Sequence, residues 1–253
     1  MKILIEGGGF PAFWYNYGYG YKLLKNIKTE TDCSENMLVG YSAGALVSTI
    51  LIFDEIEIDD VIQITNNIFN DYSNRIIGFG FLERTITNMF NEILPNDAHI
   101  RTNNKLGIIL CDPNNDNKCR LETEWTSKEE LIQCLVSSCY IPFFTGCGRL
   151  TDEYYNCRDA IFSSNLESLK DDFDIIIKKS QEDIRYGFLR IHNIYKNLQI
   201  PSYENAMTNL RDGVKESKKS FVNKKYKKFI FNLKLKHIYR IYNYQNKKQD
   251  DRI

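Results

Sequence analysis

The stretch MLVGYSAGALVSTI, residues 37–50, constrains the fold of this chain more than any other. Three apolar residues run into a turn of small residues holding one hydroxyl, Ser42, and a long apolar run follows. The pattern predicts a buried strand, a sharp turn and a helix. Gly40 and Gly44 sit two positions either side of Ser42. At that spacing they let the backbone turn tightly and let the helix lie close on neighbouring strands. Such a junction belongs to an α/β architecture. It also places the Ser42 hydroxyl at a helix N-terminus, where backbone amides favour developing negative charge. The competing explanation is a small-residue junction with an idle serine; the apolar strand before it and the apolar helix after it favour a nucleophile.

The flanking segments repeat the strand–helix alternation. KILIEGGGF, residues 2–10, reads as a short buried strand ending in a glycine loop, and PAFWYNYGYGYKLLKNI after it as a helix. EIEIDDVIQITNNIFNDY and GFLERTITNMFNEIL carry apolar residues at helical spacing. KLGIILCDP is a third strand closed by an Asp-Pro turn. Ser127 followed by Glu130 makes a capping box that opens the helix KEELIQCLVSSCY, which stops before Pro142. YYNCRDAIFSSN predicts a strand delivering Asp159 to a turn, and FDIIIKKS a further strand. Strands alternating with helices predict a mainly parallel sheet covered on both faces. The expected organisation is a catalytic α/β domain over residues 1–181 and a helical, basic extension over residues 182–253, packed on it or appended to it.

Charge supports that division. The 253 residues hold 33 basic and 33 acidic groups, but residues 214–253 carry 13 Lys/Arg against 3 Asp/Glu. An acidic body therefore precedes a basic tail. The tail mixes its cations with Phe, Tyr, Leu and Ile, a composition suited to an anionic membrane surface; a solvated helical face attracted to the acidic body is the alternative. No recognition fold supports nucleic acid. Seven cysteines without a CxxC pair fit free thiols in a reducing compartment, and zinc spacing is absent. No secretory apolar region follows Met1, and no apolar run is long enough to span a bilayer.

If Ser42 is a nucleophile, some group must take its proton. The chain holds only three histidines, His99, His192 and His237. Ser42, Asp159 and His192 stand in the chain order of an α/β-hydrolase triad, yet His192 lies in a helix-like segment without a loop signal. The other two histidines have no supporting motif, which leaves a carboxylate. GGGF, residues 7–10, supplies consecutive backbone N–H groups without side-chain obstruction, suited to an oxyanion. Neither a Walker loop nor a dinucleotide fingerprint fits it.

The motifs EGGGF, GYSAGAL, SSCYIPFFTG and YNCRDAIFSSN stand in the order and approximate spacing of the patatin-like phospholipases, and the chain resembles the adiponutrin-type animal branch of that family over residues 2–166. The resemblance implies a three-layer fold and a serine–aspartate dyad, with Ser42 as nucleophile, Asp159 as base, and Gly7, Gly8, Gly9 and Phe10 at the oxyanion hole. It implies a lipid acyl hydrolase acting on glycerolipid or phospholipid esters, with no cofactor and no metal. An acyltransferase using the same dyad, or a catalytically impaired lipid-binding module, are the alternatives. The expected location is cytoplasmic, peripheral on membranes or lipid droplets. The family's aspartate is normally followed by glycine. Here Ala160 and Ile161 follow it, and a methyl at position 160 fits only if the turn keeps φ negative. The aromatic run after the glycine loop reads either as an acyl-chain groove or as a helix buried under the sheet.

Overall fold

Short apolar runs, buried on both faces, form the centre of the sheet, and the helices between them follow from periodicity. In the computed structural model, which describes residues 1–30, 36–73, 81–141, 157–179 and 203–222, β1 (Lys2–Ile5) leads through the glycine loop into α1 (Gly9–Glu30). Then come β2 (Met37–Gly40), α2 (Ala43–Ile52), α3 (Ile58–Ser73), α4 (Phe81–Ile93) and the short α5 (Ala98–Thr102). β3 (Leu106–Asp112), β4 (Lys118–Glu122) and α6 (Lys128–Ser138) follow. The two-residue β5 (Arg158–Asp159), a 3-10 turn (Ala160–Phe162), α7 (Leu166–Leu169), β6 (Ile175–Ile177) and α8 (Tyr203–Val222) complete the described elements. His192, His237, Cys33, Cys147, residues 142–146 of the SSCYIPFFTG motif and the basic segment from residue 223 onward lie outside the described residues.

The sheet runs β4-β3-β2-β1-β6. β3, β2, β1 and β6 are mutually parallel, with Leu38 opposite both Ile3 and Leu106. Alternate side chains divide between two faces. Ile3, Ile5, Leu38, Leu106, Ile108 and Leu110 join the main core with residues of α1, α2, α4, α6 and α8. Leu4, Val39 and Ile109 point the other way, into a smaller core with Tyr41, Ala160 and Leu166. The result is the three-layer α/β patatin-like fold with a mainly parallel sheet.

Two features were not visible in the sequence. β4 turns back antiparallel to β3, pairing Asp112 with Lys118 and Ile108 with Glu122. Its KCRLE pattern is charged and only half-buried because it is an edge strand, where charge discourages further pairing. The reversal uses Asp112, whose carboxylate accepts from the Asn114 amide at 2.8 Å, and left-handed backbone at Asp116 and Asn117. The second feature is the way α8 lies on α1. A Cβ at Gly18 would stand 2.2 Å from the Leu210 carbonyl oxygen, and one at Gly213 would stand 2.0 Å from that of Tyr15. The two backbones therefore touch at the crossing. Tyr15 donates to Glu216 at 2.5 Å beside it.

Ser127 caps α6 as its spacing predicts, accepting from the Glu130 amide at 3.1 Å. The reciprocal arm is displaced by one residue: Glu130 accepts from the Thr126 backbone amide and hydroxyl. Among the described residues no helix is long and apolar enough to cross a membrane.

Candidate active site

The turn between β2 and α2 is built from close backbone approaches. A Cβ at Gly40 would lie 2.4 Å from the Gly44 carbonyl carbon, and one at Gly44 would lie 1.9 Å from the Ile5 carbonyl oxygen. Only glycine at both positions brings α2 down onto the end of β1. Between them Ser42 takes φ 54° and ψ −135°, a conformation unfavourable for a non-glycine residue. Its side chain makes no capping bond to its own helix, although the Ser42 carbonyl accepts from Ala45 at 2.9 Å.

Strand pairing brings Asp159 to the same place. β2 pairs along β3 only as far as Gly40 opposite Ile108, then leaves the sheet for the turn. Leu110 and Cys111 bond β4 on one edge of β3, and the same two residues pair Asp159 and Arg158. β5 therefore occupies the other edge, directly beyond the point where β2 departs. The Asp159 amide donates to the Tyr140 carbonyl at 3.0 Å, which ties β5 to the end of α6. In this position the Ser42 hydroxyl stands beside the Asp159 carboxylate, near enough to lower its pKa. The Ile161 amide donates to Asp159 Oδ1 at 3.0 Å.

Asp159 is 3% exposed. Burial raises its pKa to about 6, against which the nearby Ser42 hydroxyl and the Ile161 amide act in the opposite direction. A carboxylate with that value is ionised at neutral pH but binds a proton readily, as a general base must. Ala160 is fully buried in the smaller core and is not among the non-glycine residues with positive φ. The 3-10 turn thus accommodates its methyl, the condition on which the departure from Asp-Gly depended.

The glycine loop stands on the other side of Ser42. Gly8 and Gly9 have φ 136° and 67°, values that favour glycine, and they carry the chain from β1 into α1. Gly7 is instead pressed against the turn: a Cβ there would lie 2.8 Å from Ser42 Cβ and 2.9 Å from the Tyr41 ring. Phe10 lies in the first turn of α1, half-buried. Sequence reasoning missed two neighbours. Tyr41 is buried below the loop; burial, then the charges of Glu6 and Asp159, push its phenol up, and a hydrogen bond from the Gly7 backbone partly offsets them. Cys139 is buried beside Ser42, its thiol pushed up first by burial and then by the Asp159 charge. A thiol so held is no competing nucleophile.

The aromatic run resolves mostly as core. Phe13, Trp14, Tyr15 and Tyr17 are all buried, and Phe13 packs edge-to-face on Trp14 at 5.2 Å. These rings line no groove at the surface. Ile161 and Phe162, on the turn after Asp159, are exposed apolar groups, 59% and 40% exposed. His99 lies on α5, with no part in this arrangement. Among the described residues no group of three or more His, Cys, Asp or Glu side chains is placed to hold a metal ion.

No protein-family model matches the chain. Three human (Homo sapiens) proteins are similar to parts of it. The chain is 28% identical over 161 residues to "Omega-hydroxyceramide transacylase", covering 62% of this chain and 29% of that protein. It is 30% identical over 149 residues to "1-acylglycerol-3-phosphate O-acyltransferase PNPLA3", covering 57% of this chain and 30% of that protein. It is 26% identical over 133 residues to "Patatin-like phospholipase domain-containing protein 4", covering 51% of this chain and 49% of that protein. The chain thus spans less than half the length of these relatives.

Proposed function

We propose, from the premise that this chain is a patatin-like protein, that it is a lipid acyl hydrolase working through an acyl-Ser42 intermediate. The observation that carries the proposal is the buried Asp159 carboxylate brought beside Ser42 at a strained strand-to-helix turn facing a glycine loop. Asp159 takes the Ser42 proton as Oγ attacks the carbonyl carbon of a glycerolipid or phospholipid ester. The tetrahedral oxyanion is met by backbone N–H groups of the loop at Gly8, Gly9 and Phe10. Gly7 contributes by letting the loop approach Ser42 closely. The proton on Asp159 passes to the departing alcohol. Water, deprotonated by Asp159, then attacks the acyl-serine, and Asp159 returns that proton to Ser42 Oγ as the fatty acid departs, which restores both groups. Ile161 and Phe162 offer an apolar rim for the acyl chain.

Acyl transfer uses the same steps with an alcohol in place of water, and two of the relatives carry transacylase or acyltransferase names. The non-enzymatic alternative, a lipid-binding module using the aromatics and basic tail, is motivated by Ala160; a turn that holds Ala160 without positive φ favours the catalytic reading. Fatty-acid release from a panel of mixed-chain phospholipids and acylglycerols by the purified chain tests the proposal. Release that disappears in Ser42→Ala is expected. No release from any lipid, with no acylated product when an alcohol or lysolipid acceptor is added, would refute it.

A further inference from the structure

The glycine loop can serve an oxyanion only if its first peptide is held in one orientation. A rotation of the Glu6–Gly7 peptide would turn a carbonyl oxygen toward Ser42. The structure contains bonds on both sides of that peptide, from residues the proposed chemistry does not use.

On one side stands Asn16, seven residues into α1 and fully buried. Helical side chains lean toward the N-terminus of their helix, and Asn16 Nδ2 reaches back to donate to the Glu6 carbonyl at 2.7 Å. Its own Oδ1 is buried without a hydrogen-bond partner among the described residues. Asparagine is a poor helix-interior residue, and a buried unpaired acceptor is costly. An amide kept at this position among Phe13, Trp14 and Tyr17 is explained by its one bond. On the other side stands Tyr41. The Gly7 backbone amide lies near enough to the Tyr41 phenol to work against the burial that raises it. The Tyr41 ring edge lies against Gly7 with no room for a Cβ. Glu6 is further fixed by its amide, which donates to the Ile177 carbonyl at 2.9 Å, and by its carboxylate, paired with Lys170 at 2.8 Å.

We infer that Asn16 and Tyr41 are positioning residues that clamp the Glu6–Gly7 peptide from its carbonyl and amide ends, and so hold the following amides, from Gly8 onward, toward the reacting carbonyl beside Ser42. The clamp commits the Gly7 N–H to Tyr41 and leaves the oxyanion to the amides that follow. This inference rests on the catalytic reading above for its effect on rate, but not for the clamp itself.

Asn16→Leu removes the donor at similar volume, and Tyr41→Phe removes the acceptor with the ring kept. With the full chain and a soluble short-chain ester, p-nitrophenyl butyrate, each variant is expected to lower kcat about 10- to 100-fold with KM changed less than twofold. That is a smaller loss than deletion of an oxyanion donor. The double variant is expected within about threefold of the worse single one, because both act on one peptide. Losses confined to KM, or multiplying in the double variant, overturn the clamp. Amide hydrogen exchange gives a readout that needs no turnover: protection at Gly7 and Gly8 should fall at least tenfold in either variant. If Asn16→Leu does not fold, Tyr41→Phe decides alone, and unchanged exchange at Gly7 refutes the inference. A wild-type chain that hydrolyses no ester sinks the catalytic reading, while the exchange result still stands for or against the clamp.

Discussion

Replacing Asp159 by asparagine should make the protein more stable while ending its chemistry. The carboxyl is buried, and its pKa rises from the ordinary 3.8 to about 6 because burial penalises the charged form. The folded state therefore binds this proton more tightly than the unfolded chain does. The resulting stabilisation is fully present below about pH 4 and is lost as pH rises through about 6. At pH 7.5 the protein carries an ionised buried carboxylate. At about 1.36 kcal/mol for each pH unit, the rise from 3.8 to about 6 puts the cost of that charge at about 3 kcal/mol. Asparagine keeps an oxygen that can accept from the Ile161 amide and the Ser42 hydroxyl but carries no charge. Asp159→Asn is thus expected to raise stability by about 1–3 kcal/mol at pH 7.5, and Tm by several degrees for a chain of this size. The gain should shrink toward zero by pH 4. Thermal unfolding of both proteins at pH 4 and 7.5 measures it, and the difference between them isolates this one carboxyl. An Asp159→Asn protein less stable than wild type at pH 7.5, or a difference that does not change with pH, would refute the reasoning. Stability surrendered for function at a single residue is common where a strained or desolvated group does the work.

Other consequences follow from the packing. Gly44→Ala places a methyl 1.9 Å from the Ile5 carbonyl oxygen, which should cost at least about 3 kcal/mol; denaturant unfolding, or recovery in the insoluble fraction, reads it. Gly213→Val forces α8 away from Tyr15 of α1. A loss of about 1–3 kcal/mol is expected, with faster amide exchange along α8; unchanged exchange would mean that the crossing does not hold α8 in place. Cys139, buried with its thiol pushed up, should resist iodoacetamide in the native protein at pH 7.5 and react after unfolding, as peptide mass spectrometry would show.

Residues buried on both sides were the most legible in the sequence. KILI, MLVG and LGIIL are continuous apolar runs because a parallel strand meets core on each face, and glycine marks where a backbone must pass closely. β4 escaped because an edge strand of alternating charge resembles a loop. β5 was readable as the segment that delivers Asp159, but two paired residues give no periodicity to read. The pairing of Leu110 with Asp159, which sets the distance to Ser42, arises only once β2 has ended. Asn16 and Tyr41 were hidden for the opposite reason: each sits inside a pattern already explained by something else, an aromatic helix and a serine turn. The signal available was a single amide among buried rings, where a helix interior disfavours it. The glycines at positions 18 and 213 acquire meaning only when two helices 195 positions apart in the chain are seen to cross.

In the proposed chemistry everything turns on Asp159 activating Ser42. The most direct test of that step is the rate at which a fluorophosphonate labels the protein, followed from pH 4.5 to 8.5 and mapped by peptide mass spectrometry. A base at Asp159 predicts a single adduct on Ser42, a rate that rises with pH and levels off above an apparent pKa near 6, and at least a hundredfold loss in Asp159→Asn. Labelling of Ser42 at the same rate in that variant, or a rate midpoint unrelated to Asp159, would contradict it.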